Sequence, residues 1–160
     1  MNSFLKANQL ISIVAFLCFS VLQAQSEKDK KLIEKIITNQ AEGWKNKNLD
    51  LTLEDYADNV DWTNAFGDRM RSKEELKALL SDIYSMGFVM KGVSENQYND
   101  INFLSPEIAI VHSKTIVKGQ EWCDGTKMED RHNYHLRVFQ KKDSSWKVIS
   151  HLISQAWTKK

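Results

Sequence analysis

The sequence predicts an α+β domain, with about three helices packed on the concave face of a strongly curved antiparallel or mixed sheet. Two observations support this prediction. The first half of the chain holds three stretches with apolar residues at helical spacing, interrupted by one short strand-like run. The second half consists of runs rich in β-branched and aromatic residues, separated by short turns. Helices that precede an antiparallel meander are typical of the α+β class.

The chain begins with a segment typical of a secretory signal. Lys6 precedes a continuous apolar run, LISIVAFLCFSVL, and the small residue Ala24 precedes the polar sequence SEKDK. The alternative is an uncleaved membrane anchor, but the run is short for a permanent transmembrane helix. Bulky residues before Cys18 disfavour a lipoprotein. We therefore expect export to the periplasm or the outside, cleavage after Ala24, and one domain over residues 25–160.

The composition excludes several classes of partner. Removal of the signal would leave 21 basic and 21 acidic side chains, so the mature chain is close to neutral. It lacks the basic surface that binds nucleic acid. Only Cys123 would remain, so the apolar core must stabilise the fold without a disulfide. We expect no nucleic-acid partner, no stable membrane insertion of the mature chain and no cofactor.

The three helical stretches have identifiable limits. Apolar spacing up to Trp44 predicts a first helix over residues 26–46. LDLTLEDYA predicts a short second helix with Tyr56 facing inward. The sequence SKEE is a capping box that begins a third helix after Ser72, and Gly87 ends it.

A strand-like run lies between the second and third helices. In VDWTN the residues alternate, so Val60, Trp62 and Asn64 share one face of the predicted strand and Asp61 points away. A turn around Gly67 follows directly. Trp62 and Asn64 are therefore candidates for contact with a ligand at the mouth of a cavity, although a plain core role for Trp62 is equally compatible with this position.

Two assumed turns assign the histidines of the last three strands to faces of the sheet. A two-residue turn at Asp124-Gly125 places Val117 opposite His132, and a turn at Asp143-Ser144 extends that register to the last strand. One face then carries His112, His135 and several charged residues, so it is the outer face. The inward face carries four polar groups among apolar ones: His132, Tyr134, His151 and Gln155. A slip of one residue in either turn would exchange the faces.

A few polar groups on an apolar concave face are typical of a small-molecule pocket. His132 and His151 are candidates for a general acid and base, with Tyr134 as a further catalytic group, since histidine titrates near neutral pH. The alternative is that both histidines are hydrogen-bonded core residues. Asp130 is the nearest third ligand for a metal, but no tight chelating spacing is present, so no metal site is expected. The ligand-binding candidates are Trp62, Asn64, Gln155 and Trp44.

The chain resembles a known superfamily in two segments. DWTNAFGDRMRSKEEL, which leads into the third helix, and the closing SSWKVISHLIS are similar to the SnoaL-like branch of nuclear transport factor 2-like domains, over residues 31–156. The resemblance implies a cone-shaped cavity between sheet and helices, and dimers formed through the outer sheet face. It implies no single activity, because members include isomerases, cyclases, dehydratases and binding proteins.

The ketosteroid isomerase members of that superfamily use a carboxylate base with tyrosine and protonated-acid donors. That set is not matched here by motif: Tyr134 is a candidate donor, and no carboxylate is placed inward. Asp100 would face inward in one register, whereas the other register places Ile101 and Phe103 there, which their apolar character favours.

Three functions are compatible with these patterns. The first is an exported domain that binds a small, mostly apolar molecule in a His/Tyr-lined pocket. The second is an acid–base enzyme of the isomerase, cyclase or dehydratase kind that uses the same pocket, which a carboxylate near the histidines would favour. The third is a dimerisation module. A homodimer through the outer sheet face would use His112, Ile116, Arg137 and Trp146.

Overall fold

The structure, a computed structural model of the chain, describes residues 26–156. Two compact parts divide after Lys35. In the first part the described residues, 26–35, are helical. The second part begins at Ile36 and contains the site described below. The predicted signal and its cleavage site lie outside the described residues, and between residues 26 and 156 no helix is long and apolar enough to cross a membrane.

Three helices precede most of the sheet, as predicted. Helix α1 covers residues 26–45, α2 covers Leu49–Leu53 and α3 covers Lys73–Ser85. The predicted N-cap is confirmed at α3, since the Ser72 side chain accepts a hydrogen bond from the Glu75 backbone N–H at 3.1 Å. The Glu75 carboxylate accepts the N–H of Arg71, one residue before the cap, at 2.7 Å. The predicted second helix is too long, because α2 ends at Leu53 and Tyr56 begins a strand. Tyr56 is buried, as predicted.

Helices α1 and α2 approach each other closely at Gly43. A Cβ atom at this position would lie 2.4 Å from Thr52 Oγ1 and 2.6 Å from its backbone nitrogen, so only glycine fits. The Thr52 hydroxyl in turn hydrogen-bonds the Tyr84 hydroxyl of α3 at 2.8 Å. These contacts fix α2 against α3 directly before the first strand begins.

Six strands form one curved mixed sheet in the order β2-β1-β6-β5-β4-β3, which confirms the predicted fold class. All neighbours are antiparallel except β1 and β6, which are parallel. The strands are β1 (Tyr56–Thr63), β2 (Arg69–Met70), β3 (Val93–Ser105), β4 (Ile108–Lys118), β5 (Arg131–Lys142) and β6 (Ser145–Ala156).

One face of the sheet carries the buried side chains and is called the inward face below. Its apolar members are Val60, Trp62, Ala109, Val111, Phe139, Trp146 and Val148. On β3, Ile101 pairs with Val111, and the Phe103 ring packs 5.9 Å from the ring of Trp146. The register that places Ile101 and Phe103 inward is therefore confirmed, and Asp100 is exposed.

The predicted register between β4 and β5 is wrong by one residue. Val117 lies opposite Arg131, not His132, and Ser113 lies opposite His135. The connection between these strands ends in a tip of three residues instead of two, since the Trp122 N–H donates to the Thr126 carbonyl at 2.8 Å across it. Gly125 occupies the left-handed region with φ of 86°, the usual geometry of a three-residue hairpin loop.

The turn between β5 and β6 is the predicted one, but an irregularity follows it. Asp143 and Ser144 both have positive φ, as a two-residue hairpin turn requires. The register then shifts by one residue between Val138 and Phe139. This shift cancels the first error, so His151 lies on the inward face as predicted, while the predictions for β5 are reversed.

The correction changes the composition of both faces. His135 and Arg137 lie inward, while His132 and Tyr134 lie on the outer face. The predicted outer-face set is therefore half wrong: Arg137 and Trp146 are only 7% and 2% exposed. His112 is exposed and Ile116 points outward opposite His132, as predicted.

Candidate functional site

Four side chains from four strands form one hydrogen-bonded series, called the Tyr–His–His chain below. The Tyr56 hydroxyl lies 2.7 Å from His151 Nδ1, and His151 Nε2 lies 3.0 Å from His135 Nδ1. His135 Nε2 lies 3.3 Å from Thr115 Oγ1. Tyr56 and His151 are buried, whereas His135 and Thr115 are partly exposed. The chain therefore connects the core to the accessible part of the inward face.

Arg137 lies beside this chain as a buried cation. Its Nη1 donates to the Ser113 hydroxyl at 3.2 Å, and its guanidinium interacts with the Tyr56 hydroxyl. Its Nε is buried without a hydrogen-bond partner. Over residues 26–156, no carboxylate forms an ion pair with Arg137. A buried charge without a counter-charge is unusual enough to require an explanation.

The surroundings of Tyr56 favour one direction for the hydrogen bonds. Its oxygen interacts with Arg137 and with the Trp62 side chain, and both of these groups can only donate. We therefore assign the Tyr56 O–H as the donor to His151 Nδ1. His151 then carries its proton on Nε2 and donates to His135 Nδ1. His135 in turn carries its proton on Nε2, which points to Thr115.

Burial determines the protonation of these groups. It raises the pKa of the Tyr56 hydroxyl to about 12, although Arg137 opposes this change. Burial, and secondly the Arg137 charge, lower the pKa of His135 to about 3. Burial lowers the pKa of His151 well below its ordinary value, with smaller contributions from Arg137 and His135. At neutral pH the chain is uncharged and Arg137 carries the only charge in the cluster.

The inward face is partly exposed beyond the Tyr–His–His chain, and this region is called the open half below. It is more polar than the apolar wall that the sequence predicts. The Asn99 and Asn133 side-chain oxygens are buried without partners. Arg131 donates to Gln155 Oε1 at 2.9 Å and to Gln120 Oε1 at 3.1 Å. The partly exposed polar residues of the open half are Asn99, Thr115, Arg131, Asn133, His135 and Gln155.

The structure separates the predicted ligand-binding residues. Trp62 is buried, and its ring meets that of His151 edge-on at 6.3 Å. Gln155 lies in the open half. Asn64 belongs to the turn after β1, where its Oδ1 accepts the backbone N–H groups of Phe66 and Asp68. Trp44 contacts Tyr84 edge-on, with the ring centres 5.3 Å apart.

The predicted catalytic residues do not meet in one place. His151 lies within the Tyr–His–His chain, but His132 pairs with Ile116 and Ala156 on the opposite face of the sheet. Tyr134 is 37% exposed on that same face, with the Lys114 ammonium 5.5 Å from its ring centre. A catalytic role for His132 or Tyr134 stays a prediction, and it would require a site separate from His151.

The grouping of Tyr56, His135 and Arg137 was not predicted from the sequence. One signal was present for His135 and Arg137: Cys-Asp-Gly also matches a three-residue loop with glycine in the left-handed position. That loop moves both residues to the inward face by alternation alone. No sequence signal indicated that Arg137 would be buried without an acid.

Two surface depressions lie mainly outside the inward face, although the smaller one includes Ser113 and His135 of that face. The larger, of about 960 Å³, is an open groove between α2 and α3 that includes the exposed ion pair of Lys77 with Asp50. The smaller, of about 160 Å³, is lined mainly by outer-face residues, among them Tyr98, His112 and Tyr134. In the part of the chain that the structure describes, no three His, Cys, Asp or Glu side chains converge as metal ligands.

Known proteins resemble the chain in structure but not in sequence. No protein-family model matches the chain, and no curated protein matches its sequence. The hexachlorocyclohexane dehydrochlorinase LinA-type3 from Novosphingobium barchaimii LL02 matches with a TM-score of 0.76 and 11% identity, over 85% of this chain and 92% of that one.

Two structures without an assigned function match similarly. An uncharacterized protein with a cystatin-like fold from Caulobacter vibrioides gives a TM-score of 0.71 with 14% identity, over 79% of this chain and 89% of that one. An NTF-2 like protein from Shewanella oneidensis MR-1 gives a TM-score of 0.64 with 17% identity, over 79% of this chain and 98% of that one. These likenesses confirm the predicted resemblance at the level of structure: the chain has the cystatin-like fold of nuclear transport factor 2-like proteins.

Proposed function

We propose that the chain is a small-molecule-binding domain whose ligand contacts the open half of the inward face, with His135 at the centre of the site. The observation that carries this proposal is the partial exposure of His135 and Thr115, which end a hydrogen-bonded chain from the core. The unpartnered oxygens of Asn99 and Asn133 lie on the same face. Buried acceptors without partners are costly, so a ligand or water that donates to them is favoured.

A thermal-shift screen against a metabolite library tests this proposal, with the parent and two matched variants. His135→Asn alters the open half, whereas His132→Asn changes a histidine three residues away on the outer face. A ligand should raise the melting temperature of the parent and of His132→Asn, and should fail to do so in His135→Asn. Retention of the shift in His135→Asn, or its selective loss in His132→Asn, would place the site elsewhere.

An acid–base enzyme is the second candidate, because the Tyr–His–His chain can pass a proton to a ligand. His135 would give its Nε2 proton to the ligand and take the His151 Nε2 proton on Nδ1. His151 would take the Tyr56 proton on Nδ1. The resulting tyrosinate would be stabilised by the neighbouring Arg137 guanidinium. The likeness to LinA-type3 supports a fold that hosts enzymes, and no more than that.

Tyr56→Phe distinguishes the enzyme from the binding protein. The substitution removes the terminal proton donor but leaves His135 and the open half in place. For an enzyme, ligands found in the screen should be converted by the parent, and the variant should bind them while losing turnover. Ligands that the parent binds but leaves chemically unchanged would favour the binding function.

Export and homodimer formation are also part of this proposal. The amino-terminal apolar run supports export, and sequencing of the mature amino terminus tests it: Gln25 should be the first residue. Exposed apolar side chains on the sheet, among them Tyr98, Tyr134 and Leu152, support a dimer through the outer face. Light scattering should give twice the monomer mass for the parent. The Leu152→Glu variant should have the mass of a single monomer.

A further inference from the structure

We propose that the ligand carries one carboxylate-type negative charge, which pairs with Arg137. This inference rests on the proposed binding function and adds the chemical class of the ligand. It is carried by the juxtaposition of a buried, unpaired guanidinium with the partly exposed end of the Tyr–His–His chain.

The inward face carries a positive charge that the fold does not balance. Arg137 has the neutral Ser113 and Tyr56 hydroxyls as partners. Within the described part of the chain, no aspartate or glutamate is paired with it. A guanidinium does not lose its proton in a protein, so the cluster keeps a positive charge inside the fold. An anion from outside is the partner that offsets this charge.

Position and donor geometry favour a carboxylate at this point. Arg137 and His135 lie two residues apart on the same face of β5, so their backbones are about 7 Å apart. The Arg137 Nε–H has no acceptor, and a carboxylate oxygen is an acceptor that guanidinium groups bind strongly. The His135 Nε2–H, which points to Thr115 Oγ1, is a second donor on the same face for the ligand.

The distribution of arginines limits the ligand to a single charge. Arg131 lies on the same face but six residues away, or about 20 Å along the strand. Amide oxygens of Gln155 and Gln120 already accept its hydrogen bonds. One anionic group cannot reach both arginines. The site therefore fits a monocarboxylate with an otherwise neutral body better than a phosphate ester or a compact dicarboxylate.

Matched pairs of acids and amides test this proposal. Benzoate and benzamide, and cyclohexanecarboxylate and its carboxamide, are titrated calorimetrically at neutral pH and constant ionic strength. Each carboxylate should bind at least about tenfold more tightly than its amide, the ratio expected for a charge-assisted hydrogen bond. Arg137→Gln should remove this preference, whereas Lys114→Gln, on the outer face of the neighbouring strand, should keep it.

A second measurement covers the case in which Arg137→Gln fails to fold. In the parent, the Arg137 Nε–H resonance should move on addition of benzoate and stay in place with benzamide. Equal binding of acid and amide, or an unmoved resonance, would overturn the proposal, as would failure of both carboxylates to bind. Amide binding that His135→Asn abolishes would overturn the charge assignment while supporting the binding site itself.

Discussion

Alternate residues of β5 lie in different chemical surroundings. His135, Arg137 and Phe139 face inward, where they meet the Tyr–His–His chain and the core. His132 and Tyr134 face outward toward an exposed surface. The two sets are interleaved in one segment, RHNYHLRVF, so composition does not distinguish them. One residue of register therefore decides which histidine can belong to the site.

The largest difference between the two faces should appear in stability. Phe139 is fully buried, so Phe139→Ala should lower the free energy of unfolding by about 3–5 kcal/mol through lost burial and a cavity. Leu136→Ala, on the outer face of the same strand, should cost clearly less. Urea denaturation of both variants checks this prediction, and equal losses would contradict the assignment of faces.

The pH dependence of stability should come next in size. The unfolded chain takes up a proton at His135 below about pH 6.5, whereas the folded chain resists it until about pH 3. The stabilisation is therefore complete above pH 6.5 and is lost as the pH falls toward 3. In that window the free energy of unfolding should fall by about 1 kcal/mol for each pH unit because of His135. His151 acts in the same direction.

Denaturation curves between pH 7 and pH 4 measure this effect. His135→Gln should flatten the decline in unfolding free energy, because its side chain does not titrate. The outward variant Tyr134→Phe should decline as steeply as the parent. An equally steep decline in His135→Gln would show that the His135 ring is not the source of the acid sensitivity.

Loss of the Tyr56 hydroxyl should have an intermediate effect. Tyr56→Phe leaves His151 Nδ1 buried without a partner, which should cost about 1–2 kcal/mol. Tyr134→Phe removes an equivalent hydroxyl from the outer face and should leave stability nearly unchanged. Thermal unfolding of both variants provides the measurement, and the interpretation fails if the two substitutions are equivalent.

The smallest effect concerns the loop that sets the register. Gly125 has a φ of 86°, so Gly125→Ala should cost about 1 kcal/mol. Gly87 has open space around it and no positive φ, and Gly87→Ala should be neutral or slightly stabilising. Chemical denaturation distinguishes the two variants, and a neutral Gly125→Ala would argue against the three-residue loop.

The sequence was sufficient for the fold because its signals are local and repeated. The N-cap at Ser72, the alternation of Val60 with Trp62 and the turn at Asp143 each specify one element independently. The β5 register instead depends on one loop, for which Asp-Gly permits either two or three residues. That single ambiguity reversed the positions of His132 and His135.

The remaining parts of the site depend on long-range contacts that no short motif encodes. Tyr56 reaches His151 because β1 pairs in parallel with the last strand, 95 residues further along the chain. The charge balance around Arg137 depends equally on what three separate strands, β1, β4 and β5, bring together. Alternation can place Arg137 on a face, but it cannot show that its partners are hydroxyl groups.

The protonation of the histidine rings in solution tests the Tyr–His–His chain most directly. Two-bond ¹H–¹⁵N correlation spectra at pH 5 report which ring nitrogens carry protons. For His135 and His151 we predict neutral rings, with the proton on Nε2 and Nδ1 unprotonated. A doubly protonated His135 at this pH, or protons on Nδ1 of both rings, would contradict the hydrogen-bonded order proposed for the site.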